Sequence, residues 1–559
     1  MTDMRRTLLW VVFTMSLVLL WDAWNKHNGQ PGLFGGGRPQ AAASAPGAAP
    51  NGVPTPTSAA APAAAGTTSV PAGAAVAGAV AAAGERIDIT TDRFKASFDS
   101  VGGKLVRLEL LGYRDNVDRQ RNVMLFDQSA TRIYRAQTGL ITDQAGVQLP
   151  THHTPMTALP GVRDLAAGSN DLSLSFEGQT DSGVKLVKTF SFKRGSYSIG
   201  VKHEVINASA VSIKPQLYLQ LLRDGKSPEG ESSYYFTFTG PALYTETQKF
   251  QKLDFSDIDK GKAEYEKAAD NGWVAMVQHY FTSAWLVPEK QQREFRAEKV
   301  GNDYAIAMVL PLGEVAAGAI KVQDAVLYAG PQLENKLAAL APGLELVKDY
   351  GKVHVIAAPL FWLLDKLHSI IGNWGWAIVA LVVLLKIAFY WLNASAYKSM
   401  AKMKAINPKV TEMRERFKDE PQKMQQEMMR IYREEKVNPL GSCLPIVVQM
   451  PFFIALYWVL LSSVEMRNAP WIGWIHDLAA VDPYYILPVL MTASSMFQVW
   501  LNPTPPDPVQ AKMMWIMPLA FGVMFFFFPA GLVLYWLTNN ILSIAQQWFI
   551  NKRLGVIGK

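Results

Sequence analysis

The chain has 559 residues, 54 Lys and Arg against 47 Asp and Glu, a formal charge of +7 and a pI near 9.1. That length admits several domains, and the basic balance does not by itself mean nucleic acid, because it also arises from positively charged cytosolic loops of membrane proteins. The single cysteine, Cys443, excludes an intramolecular disulfide, and the eight histidines fall in no zinc-binding spacing.

The start reads MTDMRRTLLWVVFTMSLVLLWDAW, with Arg5 and Arg6 ahead of an apolar run from Leu8 to Trp21. A cleaved signal would end in a small-x-small site, whereas this run ends in Trp21, Asp22 and Trp24, so residues 1–25 are expected to be an uncleaved anchor, amino end inside. Residues 26–84 are expected to be a disordered tether. Positions 41–84 carry no charge, and 20 of the 44 are alanine, with prolines that prevent a continuous helix.

From Glu85 to about Gln323 the hydrophobic period changes to two. Tyr197, Ile199, Val201, His203 and Val205 alternate with polar residues, as do stretches at 94–98, 184–192, 217–221 and 234–238. Gly102-Gly103, Asp181-Ser182-Gly183 and Arg194-Gly195 supply turns, so a β-sandwich is expected within residues 85–350. Short helices are expected at Lys262 to Ala269 and Gln332 to Leu340, the second leading to the membrane. His152 and His153 sit in a polar stretch and are read as surface imidazoles. No two acidic residues stand out as a glycosidase-like pair, so they are assigned to solvated strand faces.

Residues 351–559 form a third region rich in apolar runs. An interfacial helix is expected over 359–371, where Pro359 to Leu364 precede Asp365, Lys366 and His368. Spans follow at 374–392, 444–464, 485–501, 513–528 and 532–550, which with the anchor make six. Between Lys398 and Lys436 stand eleven Lys/Arg against seven Asp/Glu, and the tail after Ile550 is basic, so both termini and the 394–440 loop are expected inside and the sandwich outside. Trp471, Trp474, Tyr484 and Tyr485 suit an outer interfacial belt.

Within that loop Met403, Ile406, Val410, Met413 and Phe417 recur at helical spacing, and Met424, Met428 and Ile431 repeat the rhythm after Asp419-Glu420-Pro421, giving a two-helix hairpin. Its methionines either receive an apolar client or face each other across the seam.

Lys386 interrupts the otherwise uncharged run WGWAIVALVVLLKIAFYWL. A cation there costs roughly 2.5 to 3.5 kcal/mol on insertion scales. It lies about 10 Å of helix before Asn393, so it either snorkels to the cytosolic end or marks a functional site.

The stretch Lys436 to Pro451 (KVNPLGSCLPIVVQMP), Trp474-Ile475-His476-Asp477-Leu478, Asp482 to Pro488 (DPYYILP) and Phe528 to Trp536 (FPAGLVLYW) resemble the YidC family of membrane protein insertases, in its six-span Gram-negative form, along the whole chain. The resemblance implies five core helices around a hydrophilic groove open to cytosol and lipid, with a cation at the position of Lys386. The family's arginine is a lysine here, which keeps attraction but loses the bidentate fork. Where the family often has a second tyrosine this chain has Trp536, and Val382 replaces an often polar residue one turn before the cation.

Gln449, Thr492, Ser495, Gln498 and Asn539 are the expected groove residues beside Lys386. Ser494, Thr538 and Asn540 are further polar candidates, and interhelical hydrogen bonding is the competing role for each. Phe452, Phe453, Met514, Tyr535 and Trp536 are expected to contact a client helix. Nascent membrane proteins, the Sec translocon, the ribosome and the lipid bilayer are the implied partners. No cofactor is implied, and no nucleotide-binding Walker motif is present.

The competing function is a secondary transporter or channel with Lys386 as its ion site. That would predict paired broken helices, an internal repeat and further buried ionisable groups, whereas Lys386 is expected to be the one strongly buried charge. A sandwich acting as an enzyme or sugar-binding module is a third reading, resting on fold analogy alone.

Overall fold

The structure is a computed structural model that describes residues 84–229, 237–417, 420–435, 444–502 and 508–553. The expected anchor, nearly all of the tether, Cys443 and the end of the basic tail lie outside the described residues, as does most of the 234–238 stretch. The described chain divides into two compact units.

In the first unit, alternating side chains give strands such as Asp171–Gln179, Val184–Lys193 and Ser198–Asn207 one buried face, central strands such as Trp273–Val277 and Phe281–Leu286 are buried throughout, and the strands assemble into two nine-stranded antiparallel sheets among the described residues. One runs, edge to edge, Arg86–Thr90, Phe94–Asp99, Lys104–Arg114, Asn122–Gln128, Ile133–Ile141, Gln216–Asp224, Asp303–Pro311, Arg293–Val300 and Ala268–Ala269. The other runs Lys249–Lys252, Gly240–Thr245, Trp273–Val277, Phe281–Leu286, Ile320–Pro331, Ser198–Asn207, Val184–Lys193, Asp171–Gln179 and Thr157–Ala158. Inner faces meet through Phe98 and Phe190, ring centroids 4.7 Å apart, and through Trp285 Nε1, which donates to the Gln220 carbonyl at 3.2 Å. This is the expected sandwich.

Two details differ from expectation. The segment 262–269 is not helical: the helix here is α1 (Phe255–Asp259), and Ala268–Ala269 is a short edge strand. α2 (Glu334–Leu340) forms as expected. His152 is not a surface imidazole. It is 2% exposed, its Nδ1 is 2.5 Å from Tyr218 Oη, and its backbone N–H donates to the same oxygen, so local polarity misjudged a residue buried by a distant strand.

Lys188 shares the inward parity of Leu186 and Phe190 and is fully buried. Its Nζ donates to the carbonyls of Gly102 and Thr138, both at 2.7 Å. Beside it His203 is also fully buried, with Nε2 3.0 Å from Thr138 Oγ1.

The second unit is helical: α3 (His354–Ile371), α4 (Trp374–Ala388), α5 (Tyr390–Arg416), α6 (Pro421–Glu434), α7 (Leu444–Ser462), α8 (Ile486–Leu501), α9 (Pro508–Phe525) and α10 (Ala530–Arg553). Leu360, Phe361, Leu364, Ile378, Leu381, Leu456, Val459, Leu532 and Val533 are among its core residues. α10 packs against α4, α5, α7 and α8, and its Trp536 meets Phe525 at the end of α9.

α3 begins at His354 rather than at 359, with Pro359 inside, and is by length and composition apolar enough to cross a membrane. The expected span 374–392 is not one helix: α4 stops at Ala388, and α5 leaves at 67°. Phe389 at the joint has φ −91 and ψ 12, outside the helical region, although no proline or glycine marks the place. Val448–Ser462, Ile486–Leu501 and Ala511–Phe525 are apolar stretches of 10–17 residues, shorter than the spans expected.

Candidate functional site

A recess opens where the last turn of α4 faces α7 and α10. Val382, Leu385, Lys386 and Phe389 come from α4 and its joint, Gln449, Phe452 and Phe453 from α7, and Tyr535 and Asn539 from α10; the space amounts to about 310 Å³, mouth included. The residues are spaced i, i+3, i+4 and i+7 on α4 and its joint, i, i+3 and i+4 on α7, and i and i+4 on α10, so one face of each converges. Six expected residues, Lys386, Gln449, Phe452, Phe453, Tyr535 and Asn539, meet here.

Lys386 is partly buried, and its Nζ donates to Ser543 Oγ at 2.7 Å. Ser543 Oγ in turn donates to the Asn539 carbonyl at 2.7 Å, and Ser543 is 5% exposed. The ammonium is therefore tied to the α10 wall instead of stretching directly to bulk solvent. Gln449 Nε2 donates to Asn393 Oδ1 at 2.8 Å, while the buried Asn393 Nδ2 has no partner among the described residues. Aromatic rings form the rest of the wall: Trp536 stacks on Phe453 at 5.5 Å and 11°. Val382, 2% exposed, lies at the apolar floor.

Other expected residues lie elsewhere. Thr492 Oγ1 donates to the Pro488 carbonyl of its own helix at 2.8 Å, and faces Gly522 of α9, where an added Cβ would lie 2.5 Å from it. Ser495 accepts from Asn540 Nδ2 at 2.7 Å, an interhelical bond between α8 and α10. Ser494 Oγ donates to the Met491 carbonyl at 2.8 Å. Gln498 and Met514 are partly buried and outside the recess lining, and Trp536 backs the wall from behind Phe453. Phe525 is buried against Trp536, ring centroids 5.8 Å apart, whereas Phe527 is exposed.

Ser543, Tyr397 and Asn393 escaped the sequence reading. Asn539, Ser543 and Gln547 recur every four residues along an apolar helix, a polar stripe that could have pointed to Ser543. Tyr397 and Asn393 carried no such signal because they follow the unforeseen joint.

Lys386 is not the one strongly buried charge. Lys348 is fully buried, with Nζ 3.2 Å from Glu465 and 3.4 Å from the Phe361 ring centroid. Asp482 is 1% exposed and accepts from Trp474 Nε1, Tyr484 N and Leu487 N at 3.0, 3.0 and 2.7 Å. Both are compensated by partners at helix ends, which is how buried charge persists. The aromatic belt divides accordingly: Tyr484 and Tyr485 are exposed, whereas Trp471 and Trp474 pack on the core.

In the hairpin Ile406, Val410 and Met413 are buried, with Met403, Phe417, Met424, Met428 and Ile431 packed around them. The methionines face one another across the seam.

The pattern for the YidC periplasmic domain matches residues 86–363, and that for the 60Kd inner membrane protein matches 366–556. The membrane protein insertase YidC of Cupriavidus necator is 54% identical over 558 residues, covering 99% of this chain and 98% of that protein. The Ralstonia nicotianae protein of the same name is 54% identical over 556 residues, with the same coverages. A crystal structure of an active YidC insertase with its first transmembrane domain resolved is 18% identical, covers 82% of this chain and 91% of that one, and superposes with a TM-score of 0.38, too low to carry an argument. By identity along its full length the chain belongs to the YidC family of membrane protein insertases, non-enzymatic inner-membrane proteins with a periplasmic domain.

Proposed function

We propose that the recess around Lys386 is where this insertase receives the polar amino-terminal tail of a client. One observation carries the reading: a cation with no carboxylate partner among the described residues lies in a hollow walled by amides and aromatic rings. An acidic tail is attracted to Lys386 without needing a bidentate fork. The client's apolar segment then slides past Phe452, Phe453 and Tyr535 into lipid. Burial of about 20 apolar residues drives the step, and the membrane potential adds about 2.3 kcal/mol per 100 mV for each negative charge moved outward.

This reading sets both termini and the hairpin in the cytosol, as the basic loops require. The hairpin, its methionines engaged in the seam, offers its charged outer face to the ribosome, and the sandwich offers a surface to the Sec translocon. Photo-crosslinkers at Phe453 and Asn539 should capture a stalled nascent membrane protein, and one at Thr492 should not. Equal capture at all three positions would refute the recess as the client's path. Lys386→Ala should impair clients with acidic tails more than tail-less ones.

A further inference from the structure

We propose that Ser543 is the positioning residue for Lys386, holding its ammonium at the recess wall so that the charge is presented to an incoming carboxylate. The inference rests on the reading of Lys386 as the client-attracting charge and adds what keeps that charge in place.

A lysine in the last turn of α4, two residues before the helix ends at Ala388, has a long flexible stem and open water within reach on the cytosolic side. Left unrestrained, its ammonium moves toward that water, and the recess loses its charge. The structure supplies a restraint. Ser543 Oγ spends its proton on the Asn539 carbonyl of the preceding turn, at 2.7 Å, which turns its lone pairs away from its own helix. One of them accepts from Lys386 Nζ at 2.7 Å. A hydroxyl whose hydrogen is already committed can only accept from the ammonium, so the polarity of the contact is fixed. Burial of Ser543, at 5% exposure, shields the bond from competing water.

The stoichiometry is also suited to the task. An ammonium has three donors; one goes to Ser543, and two remain for a client carboxylate. A carboxylate at this place would have quenched the charge, whereas a neutral acceptor anchors it and leaves it available. The guanidinium found elsewhere in the family has five donors in a rigid fork; a single-point anchor suits lysine. Tyr397 Oη, 3.5 Å from the Ser543 carbonyl, closes the same corner from α5.

The test uses the full chain in vesicles and two clients that differ only in an acidic or an amide-substituted tail. Ser543→Ala should reduce the ratio of acidic-tail to amide-tail insertion by about tenfold, the worth of one charge-assisted hydrogen bond, and Ser543→Thr should restore it. Ser543→Cys, close in shape but a poor acceptor, carries the same expectation should the alanine variant fail to assemble. An independent readout is acylation of Lys386 by a water-soluble succinimidyl ester from the cytosolic side, followed by peptide mass spectrometry. It should be faster in Ser543→Ala and Ser543→Cys than in the wild type. Wild-type labelling rates and client ratios in those variants would overturn the proposal. If Lys386→Ala itself keeps the wild-type ratio, the client-attraction reading fails instead; if it loses the ratio while the Ser543 variants keep it, only the positioning role falls.

Discussion

Lys188 and Lys386 are both amines inside protein, and their neighbours give them opposite tasks. Lys188 has only carbonyl acceptors, and burial, with Lys104 adding to it, lowers its pKa to about 7. In the unfolded chain it titrates near 10.5, so between pH 7 and 10.5 the unfolded state binds more protons and the sandwich gains stability as pH rises. His203, with a pKa lowered by burial to about 3, acts in the same direction at lower pH: stability should climb between about pH 3 and 6.5. Unfolding midpoints of the sandwich measured across these windows should rise in both, and Lys188→Met should flatten the upper one. A flat profile in the wild type would show that the amine stays charged in the fold. His203 was legible from its place among Ile199, Val201 and Val205, whereas Lys188, at the inward parity of Leu186 and Phe190, was passed over because Lys386 was expected to be the one strongly buried charge. Ser543 was not legible either, because helical rotation decides which polar residues of a span face inward.

Among the elements, the joint at Phe389 and the seam of the hairpin matter most. Asn393, one turn into α5, is 6% exposed and, among the described residues, relies on Gln449 for its side-chain hydrogen bond. Gln449→Leu should therefore cost about 1–3 kcal/mol by leaving the Asn393 amide wholly unpaired, and adding Asn393→Leu should recover much of it. Thermal unfolding of the two single variants and the double variant measures the coupling. In the hairpin, Met413→Ala removes a buried side chain from a small cluster and should cost about 2 kcal/mol locally. Faster amide hydrogen exchange in α5 and α6, with α10 unchanged, is the expected signature. The helical repeat of the methionines made this seam readable in advance. The 67° break was not readable, since breaks ordinarily announce themselves by proline, glycine or a π-bulge and none stands at 388–390.

At the level of the whole molecule, two periodicities separate two kinds of solvent. Alternation by two built the sandwich and long apolar runs built the helical unit, so the architecture was legible wherever burial imposes a period. What sequence withheld was the length of the spans and the sharing of polar residues between recess and interhelical contacts, both of which depend on tertiary caps such as Asp482. Each unit has its own buried core. Residues 84–347 expressed alone should accordingly give a soluble domain with a single cooperative unfolding transition, followed by near-ultraviolet circular dichroism. A non-cooperative melt would mean that the sandwich borrows stability from the rest of the chain.

α5 begins beside the recess and continues to Arg416 with Pro408 inside it, so one helix is both the threshold of the hollow and the first arm of the hairpin. The far end of that arm lies 27 residues, or about 40 Å of helix, along the chain from Phe389. Whatever binds the arm beyond Pro408 therefore touches the same helix that borders the hollow.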